Sequence, residues 1–356
     1  MTIPSVKVSV AGKTDVGQTR EHNEDTYLIA DLSTGELCDA TDGQVCVVGP
    51  RGSLFMVADG MGGAAAGELA SALAAQTIHA HLMSTWATST DSGREEFAAA
   101  MRAAVEEANR TIHEYALEHP DVRGMGTTVT AAGVFGPDLY LAQIGDSRAY
   151  LVRRGQATQL TKDQSLTQRL VDAGELTEEQ AEKSERKNII LQALGPDPQV
   201  RVDLTFEELR RDDVLILCSD GLSGSVKREE FAEYAGKVSD LAKLCSTLID
   251  LANARGGPDN ITVVAARFEG DALEVSATAQ DPGYHVLMLP GDEPPEMDFR
   301  VGYPTGGIRA YKRPEAPDEA PPPAEPPRPL RPRPPVGLIG TALLLAAALL
   351  YFLIAR

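Results

Sequence analysis

Phe97, Met101, Val105, Ala108, Ile112 and Tyr115 recur at steps of four, four, three, four and three, the spacing of one apolar face on a helix. The alanine-rich run from about Ala65 to Trp86 lies before it and predicts another helix. Helix directly after helix is not the strand–helix alternation of a dinucleotide-binding unit. Elsewhere the apolar pattern shortens to β-prone runs: "LFMVADG", "TTVTAAGVF", "LYLAQIG", "RAYLVRRG", "VLILCSDG" and "NITVVAARF". The runs between Thr127 and Gly155 follow one another closely, with "GPD" and "RRG" as turns, and predict an antiparallel meander. The chain therefore reads as a sheet scaffold with helices outside it.

Globular patterning covers residues 1–270. Residues 271–335 shift to Pro, Glu and Gly and end in "PEAPDEAPPPAEPPRPLRPRPP", which predicts a disordered linker. Val336 to Ala355 is twenty residues without a charge, enough at about 1.5 Å per residue to span a ~30 Å hydrocarbon core. Arg328, Arg331 and Arg333 precede this run and Arg356 follows it, so the positive-inside bias predicts a single-pass membrane protein with its large N-terminal part in the cytoplasm. "MTIPSVKVSV" has no long apolar region that would compete as a signal peptide. Cys38, Cys46, Cys218 and Cys245 lack C-x-x-C spacing and are expected as free thiols, although Cys38 and Cys46 could face each other across a hairpin. A net charge of −19 argues against non-specific nucleic-acid binding, which needs a basic field. Clustered carboxylates and divalent cations are compatible with it.

Candidate chemistry starts at "ADGMGGAAAGE". Gly60 to Ala65 fits the letters of the G-x-G-x-x-A dinucleotide fingerprint, but Asp59 would face the pyrophosphate, and no acid stands near the position ~20 residues on that should bind the ribose. Gly62 and Gly67 have phosphate-loop spacing, yet Glu68 follows where that chemistry needs lysine. A carboxylate at the end of a β-prone run recurs instead, as Asp59, Asp146 and Asp220. Asp259 stands just before another run, and Glu24 and Asp25 before a further one. One such aspartate is an ordinary turn residue. Several of them, gathered by a fold, make an oxygen-lined site for a hard cation such as Mg2+ or Mn2+. Zinc fits poorly, because no Cys/His cluster accompanies the acids. Gly60 and Gly221 leave room beside their carboxylates for backbone carbonyls and water.

Taken in order, R-x-x-N-E-D, DGMGG, GMGTT, GDSR, SDG and PDNIT resemble the metal-dependent protein phosphatases of the type 2C class, in their bacterial branch, over about Thr14 to Phe268. The resemblance implies an α+β fold, a four-layer αββα sandwich of two antiparallel sheets flanked by helix pairs. It implies hydrolysis of phosphoserine and phosphothreonine in proteins by a metal-activated hydroxide, with two catalytic Mn2+ or Mg2+ ions and, as often in bacterial members, a third. Asp59 resembles the carboxylate that bridges the two metals, and Gly60 offers its carbonyl to one of them. Asp220 and Asp259 resemble the remaining ligands of the first metal, and Glu24 and Asp25 the acidic pair of the second. Asp146 resembles a ligand of the third metal, shared with Asp220. Arg20 matches the phosphate-binding arginine, whose planar fork suits two phosphoryl oxygens.

Some positions depart from that pattern. Met61 and Ala64 stand where relatives carry histidine, so the acid that protonates the leaving group is unassigned; His22 is the only histidine near a motif. Gln164 also replaces a frequent histidine. Residues 165–195 resemble a flap beside the active site, with Arg169, Arg186 and Lys187 as candidate contacts to substrate or to the acids. The partners implied are phosphorylated proteins, a eukaryotic-like Ser/Thr kinase and its substrates. Alternative readings are a catalytically silent phosphoprotein-binding scaffold, and an enzyme whose target is a phosphorylated regulator of the anti-sigma-antagonist type. A silent domain has no chemical need for Arg20, Asp59, Asp146, Asp220 and Asp259 together.

Overall fold

The computed structural model describes residues 5–38, 43–275 and 280–292. Strands β1 (Lys7–Asp15), β2 (Asp25–Asp31), β3 (Gln44–Val47) and β4 (Ser53–Met61) come before helices α1 (Ala64–Thr85) and α2 (Arg94–Glu118). There follow β5 (Gly126–Thr127), β6 (Val129–Phe135), β7 (Asp138–Ile144), β8 (Arg148–Arg153) and β9 (Gln156–Gln159), then α3 (Leu166–Asp172) and α4 (Glu178–Glu182). The described fold closes with β10 (Asp203–Glu208), β11 (Val214–Cys218), α5 (Asp220–Ser223), α6 (Arg228–Lys237), α7 (Leu241–Ala254) and β12 (Ile261–Glu269).

The strands form two antiparallel sheets, ordered β3-β1-β12-β11-β8-β9 and β10-β7-β6-β4-β2, with β5 paired to β4. Alternate side chains point to opposite faces of each sheet. Ile29, Phe55, Val57 and Leu141 of one sheet therefore meet Val8, Val10, Leu151 and Leu217 of the other in a central core. On the far faces, Leu54 and Met56 pack against Ile78, Phe97, Met101 and Ile112 of α1 and α2, and Ile216 and Val263 pack against Phe231, Leu244 and Leu248 of α6 and α7. Helix, sheet, sheet and helix layers result, as expected from the resemblance. Most strands are apolar on both faces because both are covered, which explains why their sequences read as runs and not as alternations.

Two expectations need correction. The predicted meander is split, because β6 and β7 pair in one sheet while β8 and β9 pair in the other. The chain changes sheets at Gly145–Ser147, where Gly145 takes φ +95°, a conformation that ends a strand and costs glycine little. The linker expected from residue 271 also begins too early. Residues 280–292 lie along the open edge of β10 as a strap: the Phe206 N–H donates to His285 O (3.0 Å) and the Leu287 N–H to Leu204 O (2.8 Å). Leu287 is buried, His285 pairs with Glu207 (3.1 Å), and Asp292 accepts from both Arg102 Nη1 and Nη2 (2.6 and 2.7 Å). Arg154 pairs with Asp281 as well. An open edge offers unpaired backbone groups, and a segment able to pair with it gains more than its Pro and Gly content suggests.

Among the described residues no helix is long and apolar enough to cross a membrane. The predicted span at 336–355, the remainder of the Pro-rich linker and the Cys46 side chain lie outside the described residues.

Candidate active site

The strand register puts Asp25 directly opposite Asp59 at one end of β2 and β4. Asp59 is held by its backbone: its N–H donates to Thr128 Oγ1 (3.1 Å), and its carbonyl accepts from the Thr128 N–H (2.9 Å) and from Thr127 Oγ1 (2.9 Å). The side chain is thereby left to project into the site. Glycine is required at position 60, since a Cβ there would collide with the Gly67 carbonyl and stand 2.6 Å from that of Glu24.

The other acids come from the second sheet and from the loop between sheets. Asp220 opens α5 immediately after β11, and Asp259 stands two residues before β12. Ser219 Oγ donates to Asp25 Oδ2 (2.7 Å) and accepts from the Thr262 N–H (3.0 Å), joining the two sheets through one hydroxyl. Asn260 ties the loop between β1 and β2 to the start of β12: its Oδ1 accepts from the Glu24 N–H (2.8 Å), and its Nδ2 donates to the carbonyls of Val16 (2.9 Å) and His22 (2.8 Å). Arg20 pairs with Asp259 at 2.8 Å, its side chain 48% exposed at the rim.

Burial dominates the electrostatics. It pushes the Asp25 carboxyl up to about 7 against hydrogen bonds from Thr262 and Ser219, with the charges of Asp220 and Asp259 adding to the rise. It also pushes Asp146 up to about 7, reinforced by Asp220 and Asp163. Asp59 is raised well above the usual carboxylate range, first by burial and then by Asp25, Asp220, Asp146 and Asp259. Asp220 is raised by burial and by Asp259. Burial raises Glu24 as well.

Two buried oxygens, Asp25 Oδ1 and Asp146 Oδ1, have no hydrogen-bond partner in the protein. Among the described residues no three Asp, Glu, His or Cys side chains are already drawn into a closed coordinating group. The carboxylates repel one another at one mouth of the sandwich, and a hard divalent cation is the charge that suits them. The donor set is all oxygen and acidic, which fits Mg2+ or Mn2+ and not a soft metal.

The structure thus brings Glu24, Asp25, Asp59, Gly60, Asp220 and Asp259 together, with Arg20 at the rim and Asp146 on the loop that crosses between sheets. In the flap, Arg169 and Arg186 are exposed, while Lys187 is near enough for its charge to act on Asp220. The flap returns to the site where Leu194 and Thr127 exchange backbone hydrogen bonds (2.9 and 3.1 Å), beside Asp59. Sequence reasoning quoted GMGTT, SDG and PDNIT for their acids and glycines and missed the work of Thr127, Thr128, Ser219 and Asn260. Their adjacency to an acid, or to the strand opposite one, was the available signal.

The family model of protein phosphatase 2C matches residues 30–254. The serine/threonine phosphatase stp of Listeria monocytogenes is 37% identical over 252 residues, which are 71% of this chain and 92% of that protein. Among solved structures, the Mycobacterium tuberculosis serine/threonine phosphatase PstP/Ppp superposes with a TM-score of 0.62 at 38% identity, over 74% of this chain and 99% of the other. The catalytic domain of PstP in complex with two manganese ions superposes with a TM-score of 0.60 at 36% identity, with the same coverage, 74% and 99%.

Proposed function

The chain belongs to the protein phosphatase 2C family, and from that premise we propose that it hydrolyses phosphoserine and phosphothreonine in proteins with two Mn2+ or Mg2+ ions. The observation that carries this reading is the set of buried, mutually repelling carboxylates with two unpartnered oxygens. Asp59 would bridge the ions; Asp220, Asp259 and the Gly60 carbonyl would hold one, and Glu24 and Asp25 the other. Asp146 with Asp220 would serve a third. When bound, such ions supply the Lewis acidity that brings a water's pKa towards neutrality and offsets charge on the phosphoryl group.

The protein's own part is positioning. The Thr127 and Thr128 hydroxyls fix the Asp59 backbone, so that its carboxylate keeps its aim while charge shifts around it. Arg20 rests on Asp259 and, swung towards substrate, offers a planar fork for two phosphoryl oxygens. No histidine stands beside Gly60, and His22 is exposed, so water protonates the leaving serine or threonine in this reading. The uncharged run at 336–355 and its flanking arginines support a tether that keeps the enzyme on the cytoplasmic face of a membrane, with a eukaryotic-like kinase and its substrates as partners.

The full chain should release phosphate from a phosphothreonine peptide with Mn2+, stop on EDTA, and resume when Mn2+ is restored. Asp59→Asn should lower kcat by about a hundredfold or more. Equal turnover by the variant and the wild type overturns the assignment.

A further inference from the structure

Gln164 lies between β9 and α3, where the chain enters the flap, and its amide makes three hydrogen bonds. Oε1 accepts from the Gly145 N–H (2.8 Å) and from Gln192 Nε2 (2.9 Å). Nε2 donates to the Gln143 carbonyl (3.4 Å). A side-chain amide has two donor hydrogens and two acceptor lone pairs, and here both acceptor positions are taken. The main chain repeats the pattern: the Gln164 N–H donates to Gly145 O (2.9 Å), and its carbonyl accepts from the Leu191 N–H (2.8 Å).

These bonds join two parts of the molecule. One is the sheet-crossing loop, where Gly145 leaves the strand ladder and both of its peptide groups are taken up by Gln164 beside Asp146. The other is the returning limb of the flap, where Gln192 is itself clamped across Arg201, donating to its carbonyl (2.8 Å) and accepting from its N–H (2.7 Å). Backbone groups that leave a ladder inside a protein need such partners, and here the Gln164 side chain supplies them for the loop while its main-chain carbonyl takes the Leu191 N–H of the flap.

We propose that Gln164 is a positioning residue for the hydrolysis: it fixes the root of the flap to the loop that carries Asp146, so that both keep one placement relative to the substrate. The inference rests on the phosphatase reading and goes beyond it by assigning this role to a residue that touches neither substrate nor ion.

The test uses the full chain as wild type, Gln164→Leu, which keeps bulk and loses the side-chain bonds, and Gln192→Leu, which cuts the flap arm alone. For Gln164→Leu, kcat on a phosphothreonine peptide should fall and the half-saturating Mn2+ concentration should rise, each by about tenfold. Hydrogen exchange in EDTA-treated protein should quicken at Gly145, Leu191 and Gln192. Gln192→Leu should raise KM and quicken exchange in the flap, while leaving the Mn2+ requirement unchanged. A folded Gln164→Leu with wild-type kcat, Mn2+ requirement and exchange overturns the proposal, as does a loss of activity no larger than the unfolded fraction. If Gln164→Leu fails to fold, Gln192→Leu decides, and unchanged KM and exchange overturn it. If the wild type turns over no peptide, the phosphatase reading falls by itself, and unchanged exchange in the metal-free variants still separately sinks the positioning role.

Discussion

Asp25 and Asp146 set the pH behaviour expected of the protein without divalent cations. Burial holds both carboxyls near 7 in the fold, whereas an unfolded aspartate titrates near about 3.9. Between those values the folded state binds more protons, so the stability these groups contribute is complete below the unfolded value and lost as pH rises through the folded one. The melting temperature of EDTA-treated protein should therefore fall between about pH 4 and about pH 7, and saturating Mn2+ should flatten the slope. Asp146→Asn should flatten it in part without the metal; a slope that is unchanged in the variant counts against the burial argument. The acids were legible in the sequence because a carboxylate at the end of an apolar run is itself the pattern. Thr128, Ser219 and Asn260 were not, since a hydroxyl or an amide gives no periodic sign of which backbone group it will meet across the fold.

At the scale of elements, α2 was legible from its apolar spacing, and α1 from its alanine content to within a residue of its observed ends, Ala64 and Thr85. The strands were legible as strands, but a run of apolar residues does not say which sheet it will join, and Gly145 decided that for β8. The strap was illegible for a different reason. Its Pro and Gly suggest a linker, and the open edge of β10 that recruits it exists only once the sheet has formed. A chain ending after residue 292 should melt at a higher temperature than one ending after residue 270, because the shorter chain uncovers Leu204 and leaves Glu207 and Arg102 without their strap partners. Leu287→Ala should cost about 2 kcal/mol in urea unfolding of the 292-residue chain. Equal stability of the two truncations would show the strap to be a passive passenger.

For the whole molecule, the tail and the catalytic unit should be separable. Deleting residues 336–356 should move the protein from the membrane pellet to the supernatant and leave turnover of a soluble phosphopeptide unchanged. Continued pelleting of the truncated chain would dispose of the tether. The strongly acidic balance, with a sequence pI of about 4.7, concerns solubility and encounter with partners; it does not select the fold.

The pairing of β1 with β12 couples catalytic competence to protein synthesis. The register runs from Lys7 opposite Glu269 to Asp15 opposite Ile261, so the first of the described strands to be synthesised waits for the last of them. Until residue 269 has emerged, β1 lacks its central neighbour, and Asn260 cannot anchor the loop that carries Glu24. Contacts so distant along the chain form late. A nascent chain released early would have most of its acids and no assembled site to use them. In the cell, products truncated before residue 269 should therefore be unable to dephosphorylate anything before quality control removes them.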